Sequence, residues 1–153
     1  MSKFTLLFPR RRGFSVNQSF YRATYTRTRE CRAWGEEIIK DLMTPLNKAI
    51  IDANRPQVMA AFAITVRLTF YIPYEKFYTK AGKIAKTSLD LTNVEKNLVD
   101  LLFHTKYNTV NLNKDDVNIV SIVSRKVPSN DFKIKVEVAP ISEKHFNRLI
   151  SRS

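Results

Sequence analysis

The sequence is poor in several things, and each shortage excludes something. It holds one cysteine, Cys31, so neither an intrachain disulfide nor a cysteine-rich metal site can form. Three glycines leave no room for a Gly-rich linker. The histidines, His104 and His145, stand far apart and read as structural or surface residues rather than ligands. No run approaches the roughly 20 apolar residues that span a bilayer. The opening MSKFTLLFPRRRG places its charges after a short apolar stretch, the reverse of a secretory signal. There is no internal repeat and no low-complexity tract. The expectation is an intracellular, soluble, single domain over 1–153.

Acidic residues are scarce as well: 14 against 26 basic ones, for a net charge of +12. A surplus of this size in 153 residues favours a polyanion as partner, and nucleic acid is the usual one. The surplus is uneven. Residues 1–32 hold eight basic residues against Glu30 alone. Most are arginines, whose planar fork fits phosphate. The basic arm over about 9–27 therefore reads as a backbone-gripping loop, with Arg10, Arg11, Arg12, Arg22, Arg27 and Arg29 as candidate DNA contacts. Phe14, Tyr21 and Tyr25 are candidates for stacking on unpaired bases, or equally for loop packing.

Hydrophobic patterning supplies the elements. KFTLLF (3–8) reads as a strand stopped by Pro9. A helix from a Thr28 cap to about Met43 turns Cys31, Trp34, Ile38 and Leu42 inward. Thr44-Pro45 opens a second helix, expected to end near Asn54, before Pro56. Residues 60–72 alternate as a strand with Phe62, Ile64, Val66, Leu68, Phe70 and Ile72 on one face. A lysine-rich loop follows to residue 89. Thr92 and Glu95 fit a capping box ahead of a helix over 93–103. Strands over 116–125 and 131–138 would form a hairpin through Val127–Asn130, and 142–151 would close the chain as a helix. The order β-α-α-β-α-β-β-α predicts an α+β domain, a mixed sheet flanked by helices.

In so basic a chain, acids at element ends need a reason. Asp90 precedes the capped helix; Asp115 and Asp116 precede a strand. If the starts of the two elements converge, the carboxylates cluster, which is costly without a cation. All-oxygen ligands suit Mg²⁺ or Mn²⁺. The plain alternative is that Asp115 and Asp116 are turn residues after Asn111 and Asn113. Lys96 has two readings too: a phosphate neutraliser, or half of an i,i+4 pair with Asp100.

The stretch SLDLTNVEKNLVDLL (88–102), followed by NKDDVNIVSIVSRK (113–126), resembles the signature of the RusA-type Holliday-junction resolvases. That pattern is D-x-D-N-x-x-K-x-x-x-D-x-L, then a D-D pair opening a strand, then a lysine ten residues past the second Asp. Asp90, Asn93, Lys96, Asp100, Leu102, Asp115, Asp116 and Lys126 fall in register with it. SVNQSFYR (15–22) and the arginine-rich stretch up to Trp34 are similar to the family's N-terminal region. The resemblance implies a RusA-like fold and a homodimer that resolves four-way DNA junctions by paired symmetric nicks. It implies Mg²⁺ or Mn²⁺ held by Asp90 and Asp116 with help from Asp115, and catalytic roles for Asp90, Lys96 and Asp116. Ten residues of strand, ~33 Å, separate Asp116 from Lys126, so Lys126 reads as a DNA contact further along the cleft or as a solvated charge at the hairpin. The resemblance also suggests a cytoplasmic setting and a phage or prophage origin in a bacterial host.

One position departs from the pattern: the family's second aspartate is Thr92. Asp100 or Asp115 could replace it, the metal site could be weaker, or catalysis could be lost with junction binding kept. The spacer between Lys96 and the acidic pair is also a few residues longer than usual in the family, consistent with a loop insertion around His104–Asn111. The alternative function is thus a non-catalytic junction- or nucleic-acid-binding protein. A structural protein of a nucleoprotein particle would explain the charge alone.

Overall fold

The computed structural model describes residues 1–13, 29–89, 91, 94–103, 112 and 116–152, with Asp116 described by its backbone alone. The elements are β1 (Phe4–Pro9), α1 (Arg29–Leu42), α2 (Pro45–Ala60), β2 (Ala63–Pro73), α3 (Tyr74–Phe77), α4 (Glu95–Phe103), a 3₁₀ turn (Asp116–Asn118), β3 (Ile119–Ser129), β4 (Lys133–Ile141) and α5 (Glu143–Ser151). The strands form one mixed sheet in the order β1-β4-β2-β3. The α+β expectation is met.

The expected hairpin is not. β3 and β4 are consecutive along the chain, yet β2 lies between them, parallel to β3 and antiparallel to β4. The link 130–132 must therefore cross two strand spacings, about 9–10 Å, which three extended residues just span. β2 makes room by leaving the sheet at Pro73, and α3 begins at the next residue. The parallel β2–β3 pair has a second consequence. Parallel neighbours cannot be joined by a tight turn, so a long crossover is obligatory. Residues 74–118 supply it, and α4 is its main helix.

Burial alternates along the strands. Leu6, Leu68 and Val136 are paired across β1, β4 and β2, and all are fully buried. They share one core cluster with Trp34, Ile38, Leu42, Ile51, Val58, Leu98 and Leu102 of the helices. The helices thus cover one face of the sheet. The apolar stripe of α1 is buried as its spacing predicts.

Helix α2 runs through Pro56 to Ala60, past the expected stop. Pro56 gives up one backbone hydrogen bond, at about 3 kcal/mol in a helix interior. Two gains offset this. Val58, completely buried, contributes on the order of 1.5–3 kcal/mol. Gln57 clips Ser2 through both its backbone N–H and its carbonyl, at 2.8 and 2.9 Å. Phe62 lies just before β2 and is exposed, so the buried stripe begins at Ile64, two residues later than the alternation suggested. The lysine-rich stretch contains α3 and a bridge between Tyr78 and Ile84.

Leu68 lies mid-strand at the centre of the core. Leu68→Ala should lower stability by about 2–5 kcal/mol, read as a fall in the urea midpoint at unchanged slope.

Candidate active site

Every residue of the resemblance after position 88 lies in the β2–β3 crossover or in β3 itself. Helix α4 packs through Leu98 and Leu102, both fully buried. Glu95, Lys96 and Asp100 fall along β3. Glu95 Oε1 accepts a hydrogen bond from Ser124 Oγ on β3. Lys96 and Asp100 share a shallow groove with Ile119 and Ile122. Lys96 Nζ stands 3.4 Å from Asp100 Oδ2, its side chain 62% exposed against 6% for Asp100. The i,i+4 pair foreseen for these two residues is present. The buried carboxylate anchors an ammonium that faces solvent. Asp100 is thereby engaged with Lys96.

Asp116 opens the 3₁₀ turn, not a strand, and α4 packs against that turn. Glu95, at the start of α4, meets Ser124 in the middle of β3, while Lys96 and Asp100 share their groove with Ile119, the first residue of β3. Asp90, Asp115, Thr92, Asn93 and the Asp116 side chain lie outside the described residues. Among the described residues, no group of three or more His, Cys, Asp or Glu could hold a metal. Phe14, Tyr21, Arg22, Tyr25, Arg27 and His104 also lie outside them. His145 is exposed on α5, where its backbone N–H bonds the Ser142 cap.

Lys126 is neither a solvated charge nor a neighbour of Asp116. The seven steps of β3 from Ile119 to Lys126 span about 23 Å. Its Nζ donates to Ser88 Oγ at 2.9 Å and to the Leu89 carbonyl at 2.8 Å. The Phe77 ring lies 5.8 Å from it. Lys126 therefore fastens the segment immediately before Asp90 onto β3. Spacing along the chain carries no sign of this contact, because it joins residues 37 apart through the fold.

The arm begins with a backbone constraint. Arg10, the turn after β1, has φ 61°, a left-handed conformation that costs a non-glycine residue about 1–2 kcal/mol. It is exposed, as are Arg12 and Arg29. Arg11 differs from its neighbours. Its Nε donates to Asp41 Oδ2 at 2.7 Å, its Nη2 to Asp41 Oδ1 at 3.3 Å, and Nη2 also lies 2.8 Å from Glu37. The hydrogen bond to Asp41, opposed by partial burial and helped by the charges of Asp41 and Glu37, pushes its pKa further up. With both carboxylates on it, Arg11 clamps the arm to α1. Trp34 Nε1 adds a 2.6 Å bond to the Arg12 carbonyl.

Beyond the clamp, Arg12 lines a cleft with Lys76, Lys86, Leu89, Tyr71 and Phe132. In the sequence, Lys76 and Lys86 are two of several lysines in an expected loop, with nothing to single them out. Only the tertiary fold sets them opposite Arg12.

Comparison with known families decides the kinship of the chain. Residues 16–139 match the model of the endodeoxyribonuclease RusA family, which is most of the chain. The chain belongs to that family. The RusA match encloses α1, the whole crossover and β3, and it ends within β4. None of the curated proteins compared matches the chain in sequence. No described helix is long and apolar enough to cross a membrane.

Arg11→Met strands a buried Asp41 carboxylate and should cost about 1–3 kcal/mol, measured by chemical denaturation. Lys126→Met should speed amide exchange at Ser88, whose N–H bonds the Ala85 carbonyl in the segment that Lys126 holds.

Proposed function

We propose that this protein is a metal-dependent endonuclease that resolves four-way DNA junctions by paired symmetric nicks. The observation that carries this reading is the RusA match over 16–139, together with the signature residues that fall within it. Asp90 and Asp116, helped by Asp115, would hold Mg²⁺ or Mn²⁺. The donor set is all carboxylate, which fits a hard cation. When bound, the metal supplies an activated water and offsets charge on the phosphodiester.

The chain's own residues do the rest. Lys96, exposed at the solvent end of its salt bridge to the buried Asp100, swings its ammonium toward the scissile phosphate and steadies the charge that builds there. Asp100 orients that side chain. Lys126 holds the Ser88–Leu89 segment, and with it the approach to Asp90. Arg10, Arg12 and Arg29, with Arg22 and Arg27, grip the DNA backbone. A homodimer provides one active site for each cut strand, its two-fold axis matching that of the junction.

A second reading is favoured by one residue. Thr92 stands where the family pattern carries an aspartate and removes a negative charge from the metal site. A junction-binding protein without catalysis would tolerate that change. The deciding experiment is a nicking assay on a synthetic four-way junction beside linear duplex, with and without Mg²⁺ or Mn²⁺. Symmetric metal-dependent cuts, reduced at least ~100-fold by Asp116→Asn with junction affinity kept, are expected. Tight junction binding with no cleavage in either metal would overturn the enzyme reading in favour of the second.

A further inference from the structure

The face of the sheet opposite the helices has a distinct chemistry. Cross-strand register places Glu137, Arg67 and Val123 in one row. Lys135, Thr69 and Arg125 form the next, and Lys133, Tyr71 and Val127 the one after. Lys3 reaches onto the same face and meets Glu137 at 3.2 Å. Five cations thus share one surface with a single carboxylate. Among the described residues, Glu137 alone of the acidic ones lies in a strand.

The distribution is selective. On α1, α2 and α4, cations pair with carboxylates: Lys48 and Arg55 with Asp52, Lys40 with Glu37, Lys96 with Asp100. On the sheet they gather almost uncompensated. Lys133 and Lys135 are two residues apart on one strand, about 7 Å, and Arg67 is a diagonal neighbour of Lys135. Like charges at this spacing oppose folding, so an anion that covers them restores what the fold gives up. Beyond Arg67 and Glu137 the row of Ala139, Thr65 and Ser121 is small-featured and, with Lys3, lines a shallow concavity. Such a surface admits close approach of a polyanion backbone. Arg125 donates through Nε to Thr69 Oγ1 at 3.1 Å, an orientation that leaves its terminal nitrogens available to a ligand. Even Glu137 is held charged. Partial burial pushes its pKa up, but the Lys3 hydrogen bond and the charges of Lys135, Lys3 and Arg67 outweigh this and lower it.

We infer that this open face is a second DNA-binding surface, where Arg67, Arg125, Lys133 and Lys135 take the phosphates of a duplex arm. It rests on the reading of DNA as substrate proposed above, and not on metal binding or nicking. The surface is separate from the candidate active site. Strand alternation turns Arg125 to the open face and Lys126 to the helix face, so β3 is the rim between the two. An arm lying on the sheet leaves over that rim toward α4. A second copy of the chain is a poorer occupant, because two-fold stacking would set five cations against five.

The test is fluorescence-anisotropy binding of four-way junction and linear duplex in EDTA, where no cutting occurs, over a titration of NaCl. Removing one phosphate-binding cation should reduce the slope of log K against log salt by about 0.9. Arg67→Gln with Lys135→Gln should lower it by about 2 and weaken binding at least ~10-fold at roughly 100 mM salt. Lys133→Gln with Lys135→Gln is a second variant that changes only β4, and melting temperature checks that each variant folds. A slope and affinity equal to wild type in folded variants would overturn the inference while leaving the proposed function intact. Sedimentation covers the other occupant: a change of oligomeric state with the slope unchanged would reassign the face to contacts between copies. Wild-type protein that fails to bind DNA would overturn both this inference and the proposed function, whereas binding without nicking touches only the latter.

Discussion

The parallel pairing of β2 with β3 is the constraint on which the rest depends. Two parallel strands demand a long return path, and that path must cover a face of the sheet. Here it carries α4, the Ser88–Leu89 segment and the 3₁₀ turn, so the residues that resemble the RusA signature are the connection itself. The same pairing forces β2 to receive β3 on one side and β4 on the other. A core of alternating apolar residues then forms on the covered face. The catalytic candidates inherit their positions from a topological necessity rather than from a dedicated scaffold.

Charge is partitioned along the same line. Most carboxylates sit in helices and in the crossover, and several hold cations in place: Asp41 and Glu37 on Arg11, Asp100 on Lys96. Arg11 is held by two carboxylates, while its neighbours Arg10 and Arg12 are exposed. Conversely, Lys126 lies in the signature yet makes structural contacts, with a backbone carbonyl and a serine hydroxyl.

What could be read in the sequence was what depends on local spacing. The α1 stripe of Cys31, Trp34, Ile38 and Leu42, the alternation of β2 and the Lys96–Asp100 pair all follow from the period of one element. What escaped depends on how elements meet. Short spacing between β3 and β4 looks like a hairpin, because nothing in the intervening residues announces that β2 will be inserted. Pro56 looks like a helix end, since the gain from Val58 and the Gln57–Ser2 clip exists only once the core has formed. Asp116 looks like a strand residue, because the alternation beyond it runs on without a break. In the candidate site, Lys96, Asp100 and the family pattern were legible, while the grip of Lys126 on Leu89 and the grouping of Lys76 and Lys86 with Arg12 were not.

The position of β3 at the end of the sheet has a consequence for the protein in concentrated solution. Among the described residues nothing pairs with its outer edge, so 11 residues present a row of backbone donors and acceptors to any other extended chain. Val120 and Val123 are exposed along it. Three devices blunt this template: a register shift at its start opposite Ile64–Thr65, the adjacent cations Arg125 and Lys126, and Pro128, which has no N–H to donate. Two of these are steric and persist in any buffer. The third is repulsion between molecules, and it fades as salt shortens the reach of charge. Resistance to edge-to-edge aggregation is therefore partly an ionic-strength effect, weakest at the high salt commonly used to keep a basic protein free of nucleic acid.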